Sequence, residues 1–214
     1  MPLIVGNMPT LLVDYVSNRV AKYACTKWHY SKTIPVNKII RFGVWEDEHF
    51  VGVILFGCGA SSNAHQQYKI LPNEMCELVR VALRRHTFEV TRMISVCLRL
   101  LKKTNPKLRL VTSFADPDEG HHGGIYQGGN WIYTGISANV NQYHFNGAWR
   151  HCTDVYKRLS PDQCKLLPKR LKSGKHRYLM PLDGPMRAFI LPLKQPFIKR
   201  VKQAMGDTIT TAAV

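Results

Sequence analysis

The chain has no run of about 18 consecutive apolar residues, so no helix it forms is expected to span a bilayer. No two of its six cysteines, at 25, 58, 76, 97, 152 and 164, have CxxC spacing. A zinc ribbon or a thioredoxin-type pair is therefore excluded. Cys58, Cys76 and Cys97 stand in apolar segments and read as buried thiols, which suits a reducing compartment better than a secretory route. The opening MPLIVGNMPT has neither a basic n-region nor a long apolar stretch, so no signal peptide is expected. Repeats and low-complexity tracts are also missing. Acids are scarce: 14 Asp and Glu stand against 30 Lys and Arg, a formal charge of +16. That excess points to a polyanionic partner, nucleic acid before an anionic membrane.

The 214 residues, 45% apolar, suit one domain with a sizeable core. The basic character is uneven. Residues 136–214 carry 14 Lys and Arg against 4 Asp and Glu, whereas residues 1–135 carry 16 against 10. The expected organisation is a catalytic core over 1–150 and a basic C-terminal part of the same domain over 151–214. Apolar spacing predicts a helix over 11–25 with Thr10 as N-cap. IIRFGVWE and FVGVILFGC, separated by Asp47-Glu48-His49, predict a hairpin. A loop through Gly57, Gly59, Ser61, Ser62 and Asn63 follows. Further strands are expected at 76–84 and 108–115, at WIYTGI, at KHRYLMPL and at MRAFILPL. Helices are expected at 90–103, over about 122–129, and from Ser160-Pro161 through DQCKLLPKRL. The tail after Pro196 is expected to fray.

This order gives an α/β fold, a mixed central sheet flanked by helices. It resembles the GNAT acyltransferase fold, in which a strand, loop and helix hold the pyrophosphate of coenzyme A. That resemblance puts a Gly-rich loop between Arg84 and Thr91. The segment here is RRHTFEVT, without glycine. Helix N-terminal amides still suit phosphate, with Arg84, Arg85 and Arg92 adding charge, but close backbone approach is harder without glycine. A coenzyme A-type donor is therefore doubtful.

The stretch SFADPDEGHHGGIYQGGNWIYTG, Ser113 to Gly135, is the most unusual in the chain. Asp116 follows a predicted strand, where α/β proteins gather ligands. Acids at 118 and 119, His121-His122, Gly123-Gly124 and Tyr126 come next. A capping turn explains the Asp, the Gly and the packed Tyr, but not two histidines and so many glycines. KWHYS adds His29-Tyr30, which reads either as aromatic packing with a satisfied histidine or as a site. Two histidines and a carboxylate can bind a transition metal; His29, Asp116 and either His121 or His122 offer that set.

WHYSKTIP, ELVRVAL and above all SFADPDEGHHGGIYQGGNWIYTG resemble the Mom family of bacteriophage DNA-modification proteins. The similarity runs from about Trp28 to Gly135, with a weaker echo in KHRYLMPL. The resemblance implies a GNAT-like enzyme of the infected host's cytoplasm. It would add an acetamido (carbamoylmethyl) group to the exocyclic amine of adenine in phage DNA, blocking host restriction nucleases. It implies catalytic roles for His29, Tyr30, Asp116 and Tyr126, and places the family's cofactor-binding residues on Arg80 and Thr91, where Thr replaces a frequent Ser. It also implies iron, or another divalent transition metal, on His29, Tyr30 and Asp116. Asp116 as general base and Tyr126 as proton donor stay open beside the metal.

Adenine's amine lies inside a base pair, so the base must be extruded and held by aromatic or apolar groups. Trp28, Tyr30 and Trp131 are candidates, although Trp131 serves equally as a core aromatic. Double-stranded DNA is the expected partner, and a homodimer stays open. Lys157 to Arg177 holds eight Lys and Arg and one acid. Lys169, Arg170, Lys172, Lys175 and Arg177 are its candidate phosphate contacts, against a plain solvated helix face. Two other readings compete. A coenzyme A-dependent N-acetyltransferase lacks the glycine loop, and a DNA-binding module without catalysis does not need three carboxylates beside two histidines.

Overall fold

A computed structural model describes residues 9–35, 38–58 and 63–197. The middle of the loop expected after residue 57 and the basic tail beyond Phe197 lie outside the described residues. In chain order the strands are β1 (Leu11–Tyr15), β2 (Ile39–Glu46), β3 (His49–Gly57), β4 (Met75–Leu83), β5 (Leu110–Ala115), β6 (Ile132–Ile136), β7 (Val140–Phe145), β8 (Ala148–His151), β9 (Lys169–Lys172) and β10 (His176–Pro181). The helices are α1 (Asn18–Trp28), α2 (Val90–Thr104), α3 (Gly124–Gln127), α4 (Cys152–Tyr156), α5 (Pro161–Lys165) and α6 (Gly184–Ile190). Seven strands form one sheet in the order β1-β2-β3-β4-β5-β10-β6, and β8-β7-β9 form a second. The large sheet is mixed, because β4 and β5 run parallel while its other pairs are antiparallel. The expected α/β class, a mixed sheet flanked by helices, is the class observed.

Alternation builds both faces of the large sheet. Ile54, Phe56 and Leu78 join the cluster under α2, where Met93, Ile94, Cys97, Leu98 and Leu101 make one apolar stripe. Val53, Leu55 and Ala82 face Ala21, Ala24 and Cys25 of α1 on the other side. α6 packs Met186 and Ile190 against Leu110, Ile132 and Leu179. Burial pushes the Cys76 and Cys97 thiols up to about 12. Cys58, just past β3, is exposed rather than buried.

Several expected elements change type. Residues 11–15 form an edge strand paired with β2, and the helix starts only after Ser17, whose Oγ accepts from the Val20 amide. Leu11, Val13 and Tyr15 fit a period of two as well as a helix, and the exposed hydrogen-bonding edge of β2 decides between them. MRAFILPL is not a strand. Asp183 accepts from the Met186 amide and also holds Arg109 at 2.8 Å, so α6 begins there with Pro185 in its first turn. The helix after Ser160 stops at Lys165, and Lys169–Lys172 become β9 because β7 offers a partner. The hairpin β7–β8, which no expectation covered, turns on Asn146-Gly147, both at positive φ. It crosses the expected boundary near residue 150, and the chain re-enters the large sheet through β10.

The Arg84–Thr91 loop is held from inside. The Glu46 carboxylate accepts from the Thr87 amide at 2.8 Å and the Phe88 amide at 2.7 Å. An internal carboxylate thus engages backbone amides in the segment where a glycine loop would meet pyrophosphate. Glu46→Ala leaves two amides without that acceptor and is expected to cost about 2–4 kcal/mol. A fall in the urea midpoint with an unchanged slope checks this, and an unchanged midpoint would show that the loop does not depend on Glu46.

Candidate active site

β4 pairs with β5 only from Met75–Leu110 to Leu78–Ser113. Beyond that point β4 follows β3, with Val79 inserted between the positions facing Phe56 and Leu55, while β5 follows β10 to its end. Such a bulge re-aims the side chains beside it. The two strands part here. The end of α1 and the loop after β5 supply the groups around the opening.

His29 caps the C-terminus of α1, its amide donating to Cys25 O at 3.2 Å. It is buried, and the Ser31 amide donates to its Nδ1 at 3.1 Å. An amide can only donate, so Nδ1 is an acceptor and the neutral ring carries its proton on Nε2. Burial first, then the positive charges of Arg80, His121 and Lys32, lower its pKa to about 4. His29 is therefore neutral at pH 7, with an N–H to give. Tyr30 lies against it at 4.2 Å between ring centroids, half exposed, and meets the His121 ring edge-on at 5.3 Å. Arg80 acts on His29 from β4. Its Nη1 donates to Val79 O, and its buried Nε has no partner among the described residues.

Asp116 is 3% exposed and sits one residue past β5. Its Oδ1 accepts from the Asp118 amide at 3.2 Å, and its Oδ2 meets both Lys172 and Lys175 at 3.1 Å. Burial raises its pKa, but hydrogen bonds from Lys175 and Lys172 outweigh this and hold the carboxyl below its usual range. The β5–β10 register explains the pairing: His176 lies opposite Ala115, so the lysine before His176 falls beside the aspartate after Ala115. The His121 amide donates to Asp116 O at 3.1 Å, which ties the His29–Tyr30–His121 rings and the lysine-bound carboxylate to one short loop.

Tyr126 is buried, its hydroxyl 2.8 Å from Ser113 Oγ. Ser113 Oγ is also 2.9 Å from Leu78 O, which can only accept, so the serine proton goes there and the tyrosine proton goes to the serine. Burial pushes the phenol up to about 12. Tyr126 therefore serves as a strut between the parting strands, with its proton already committed. Gly123 has φ +84°, and a Cβ there would overlap the Tyr178 ring. The close backbone approach that Gly123 permits is thus to an aromatic of the fold. Trp131 is a core residue. Thr91 lines a cavity of about 620 Å³ beside α2, together with Arg92, Ser95, Arg99, Lys102 and Asn130. Arg80, on β4, is not among the residues lining that cavity.

The ligand set implied by the resemblance does not fit a metal as it stands. A metal-bound histidine donates its other ring N–H, whereas His29 Nδ1 accepts one. Metal on Nε2 would then require a ring with no proton at all. A dication at Asp116 would sit beside two ammonium groups. Among the described residues, no three His, Cys, Asp or Glu side chains gather where a metal could bind.

The Mom protein family matches this chain over residues 10–199. The chain belongs to the Mom protein family. A Mom relative, methylcarbamoylase mom of Escherichia phage Mu, is 28% identical over 145 residues, 66% of this chain and 60% of its own length. The match therefore spans 60% of that curated relative. Among solved structures, the aminoglycoside N-acetyltransferase AAC(6')-Ib11 covers 81% of this Mom chain and 97% of its own at 8% identity, TM-score 0.47. A protein of Acinetobacter baylyi ADP1 assigned as an acetyltransferase covers 85% and 97% at 10% identity, TM-score 0.46. These likenesses are too loose to transfer a ligand. Among the described residues no helix is long and apolar enough to cross a membrane.

The five basic residues expected on DNA divide into three groups. Lys172 and Lys175 hold Asp116. Arg177 donates from Nε to Thr134 Oγ1 at 2.9 Å and lies against β6. Lys169 and Arg170, neighbours on β9, point to opposite faces, and both are exposed. Sequence reasoning missed the lysine–aspartate cluster. The signal was present in KSGK, two lysines around Ser173-Gly174 directly before a strand, but only the β5–β10 register shows what they face.

Proposed function

We propose that this Mom-family protein is a DNA-modifying transferase that attaches a small amide-bearing group to the exocyclic amine of adenine. The modified phage DNA would then resist restriction in the cytoplasm of the host. The observation that carries the reading is the family match over residues 10–199, joined to the phage relative's name. The group is the carbamoylmethyl expected above or its constitutional isomer, the methylcarbamoyl of that name. Both carry one carbonyl.

The amine's lone pair is delocalised into the ring, so it attacks poorly until the new N–C bond begins to form. It then becomes cationic and strongly acidic, and a weak base suffices to take its proton. In this reading Asp116, held as an anion by two lysines, takes that proton. As the N–C bond forms, the donor's bond to the group breaks and its leaving group departs with the electron pair. His29, neutral with Nε2–H, donates to the group's carbonyl oxygen. This steadies the oxyanion in methylcarbamoyl transfer and orients the amide in carbamoylmethyl transfer, where the displacement is at saturated carbon. Tyr30, half exposed beside the rings, supports the extruded base. The cavity beside α2, with Arg92, Arg99 and Lys102, favours an anionic donor. A coenzyme A-dependent N-acetyltransferase is the alternative, and Glu46's hold on the Thr87 and Phe88 amides weighs against it.

Expression in a bacterium is expected to yield adenine nucleosides heavier by one carbamoylmethyl unit, and DNA resistant to nucleases with adenine in their sites. Nucleoside mass spectrometry checks this, and fragmentation separates the two isomers. Finding only ordinary and methylated adenine from cells holding soluble protein would sink the reading. Finding acetylated protein or small amines instead would favour the alternative.

A further inference from the structure

The small sheet has two unlike faces. Tyr143 and Phe145 of β7 join Val155 of α4 and Cys164 of α5 in a cluster of their own. The period of two therefore puts Val140, Gln142 and His144 on the other face. Register carries that face across the sheet: His144 lies opposite Trp149, Gln142 opposite Arg170, and Val140 opposite Lys172. The side chains touch in sequence. His144 meets Trp149 edge-on at 5.5 Å, the Arg170 guanidinium stacks on Trp149 at 4.5 Å, and Arg170 Nε donates to Gln142 Oε1 at 2.9 Å. Lys172 then reaches Asp116. One file of side chains runs from near the exposed Asn146-Gly147 tip to the carboxylate of the site.

Arg170 is exposed, yet it is fixed by an indole below and an amide at Nε. Among the described residues it pairs with no acid. A guanidinium held this way keeps its planar fork pre-organised for an oxyanion. Residues 140–172 carry seven Lys and Arg against two Asp. Arg170 and Lys172 are about 7 Å apart along the strand, which is the rise of about two base pairs of duplex DNA.

We propose that this face of β7–β9 is the track for the backbone of the DNA strand that carries the target adenine. Arg170 grips a phosphate, Trp149 holds Arg170 in place, and Lys172 marks where the track meets Asp116. This rests on the DNA-modification reading above and adds the surface that delivers the base. Lys169, on the opposite face, is not part of it.

The test is the affinity of the purified full chain for a labelled adenine-containing DNA duplex, measured across a sodium chloride series with no donor present. Arg170→Ala should weaken binding about tenfold and flatten the log-log salt slope by about one unit. Trp149→Ala should weaken it about threefold. Lys169→Ala, matched in charge lost, should do clearly less than Arg170→Ala. Arg170→Lys keeps the charge without the fork and should keep the slope while losing affinity, which guards against a folding defect. Equal effects of Arg170→Ala and Lys169→Ala, or none from either, would overturn the track. So would a duplex RNA bound as tightly as DNA and lost in the same way. Nucleoside analysis of cells expressing the wild type separates the two ideas. Modified adenine with normal DNA binding by Arg170→Ala removes the track and leaves the enzyme. The reverse pair leaves the track and removes the enzyme.

Discussion

Asp116→Ala is expected to lower the yield of modified adenine by about a hundred- to a thousandfold, the scale of removing one well-placed charged group from a reacting centre. The side chain is 3% exposed and both of its oxygens are engaged. Stability should fall far less. Lys172 and Lys175, 25% and 41% exposed, can turn their ammonium groups to water when the carboxylate is gone. The cost is then about 1–2 kcal/mol, below the 3–5 kcal/mol of a fully buried pair. Nucleoside mass spectrometry read beside a thermal melt separates the two effects. A folded Asp116→Ala protein that still modifies DNA at the wild-type level would remove Asp116 from the chemistry. The lysines give a second handle. Lys172→Ala with Lys175→Ala leaves burial unopposed, so the carboxyl pKa rises. If the anion is the working form, the acid limb of the activity profile moves to higher pH.

The sheet was legible because its strands carry their own signals. The hairpin of β2 and β3 follows from two β-branched runs around Asp47-Glu48, both of which adopt positive φ in the turn. α2 follows from apolar spacing that tertiary packing then confirms. The errors lie where a segment suited two periods and a distant partner chose between them. Leu11–Tyr15 became a strand because β2 offered an edge, and Lys169–Lys172 because β7 did. The site was legible as residue types and illegible as contacts. His29 and Asp116 stood out by composition and family likeness. That Ser31 fixes the His29 tautomer, or that two lysines 56 and 59 positions beyond Asp116 close on its carboxylate, depends on loop geometry and strand register. Charge read along the chain assigned those lysines to DNA. Charge read in space gives them first to Asp116.

The tautomer makes His29 the sharpest test of what the pocket does. If its role is to donate from Nε2, then Gln at this position, whose amide N–H falls close to Nε2, should keep activity within about tenfold, while His29→Ala should lose about a hundredfold or more. If its role is to bind a metal, Gln is a poor substitute, and both variants should fail together with loss of a stoichiometric ion. Metal content of the purified wild type, His29→Ala and His29→Gln, measured beside modification, therefore decides between donor and ligand. Stability against pH gives an independent reading. The folded pKa of His29, about 4, lies below its ordinary value of 6.5. The unfolded chain thus binds the extra proton first, and the stability owed to neutral His29 is complete above about pH 6.5 and drains away as pH falls toward 4. The wild type should lose roughly 1–3 kcal/mol across that window from this group. His29→Gln, with nothing to protonate there, should show a flatter curve by the same amount. Identical curves for the two proteins would mean that the ring is not held neutral, and the donor role would fall with it.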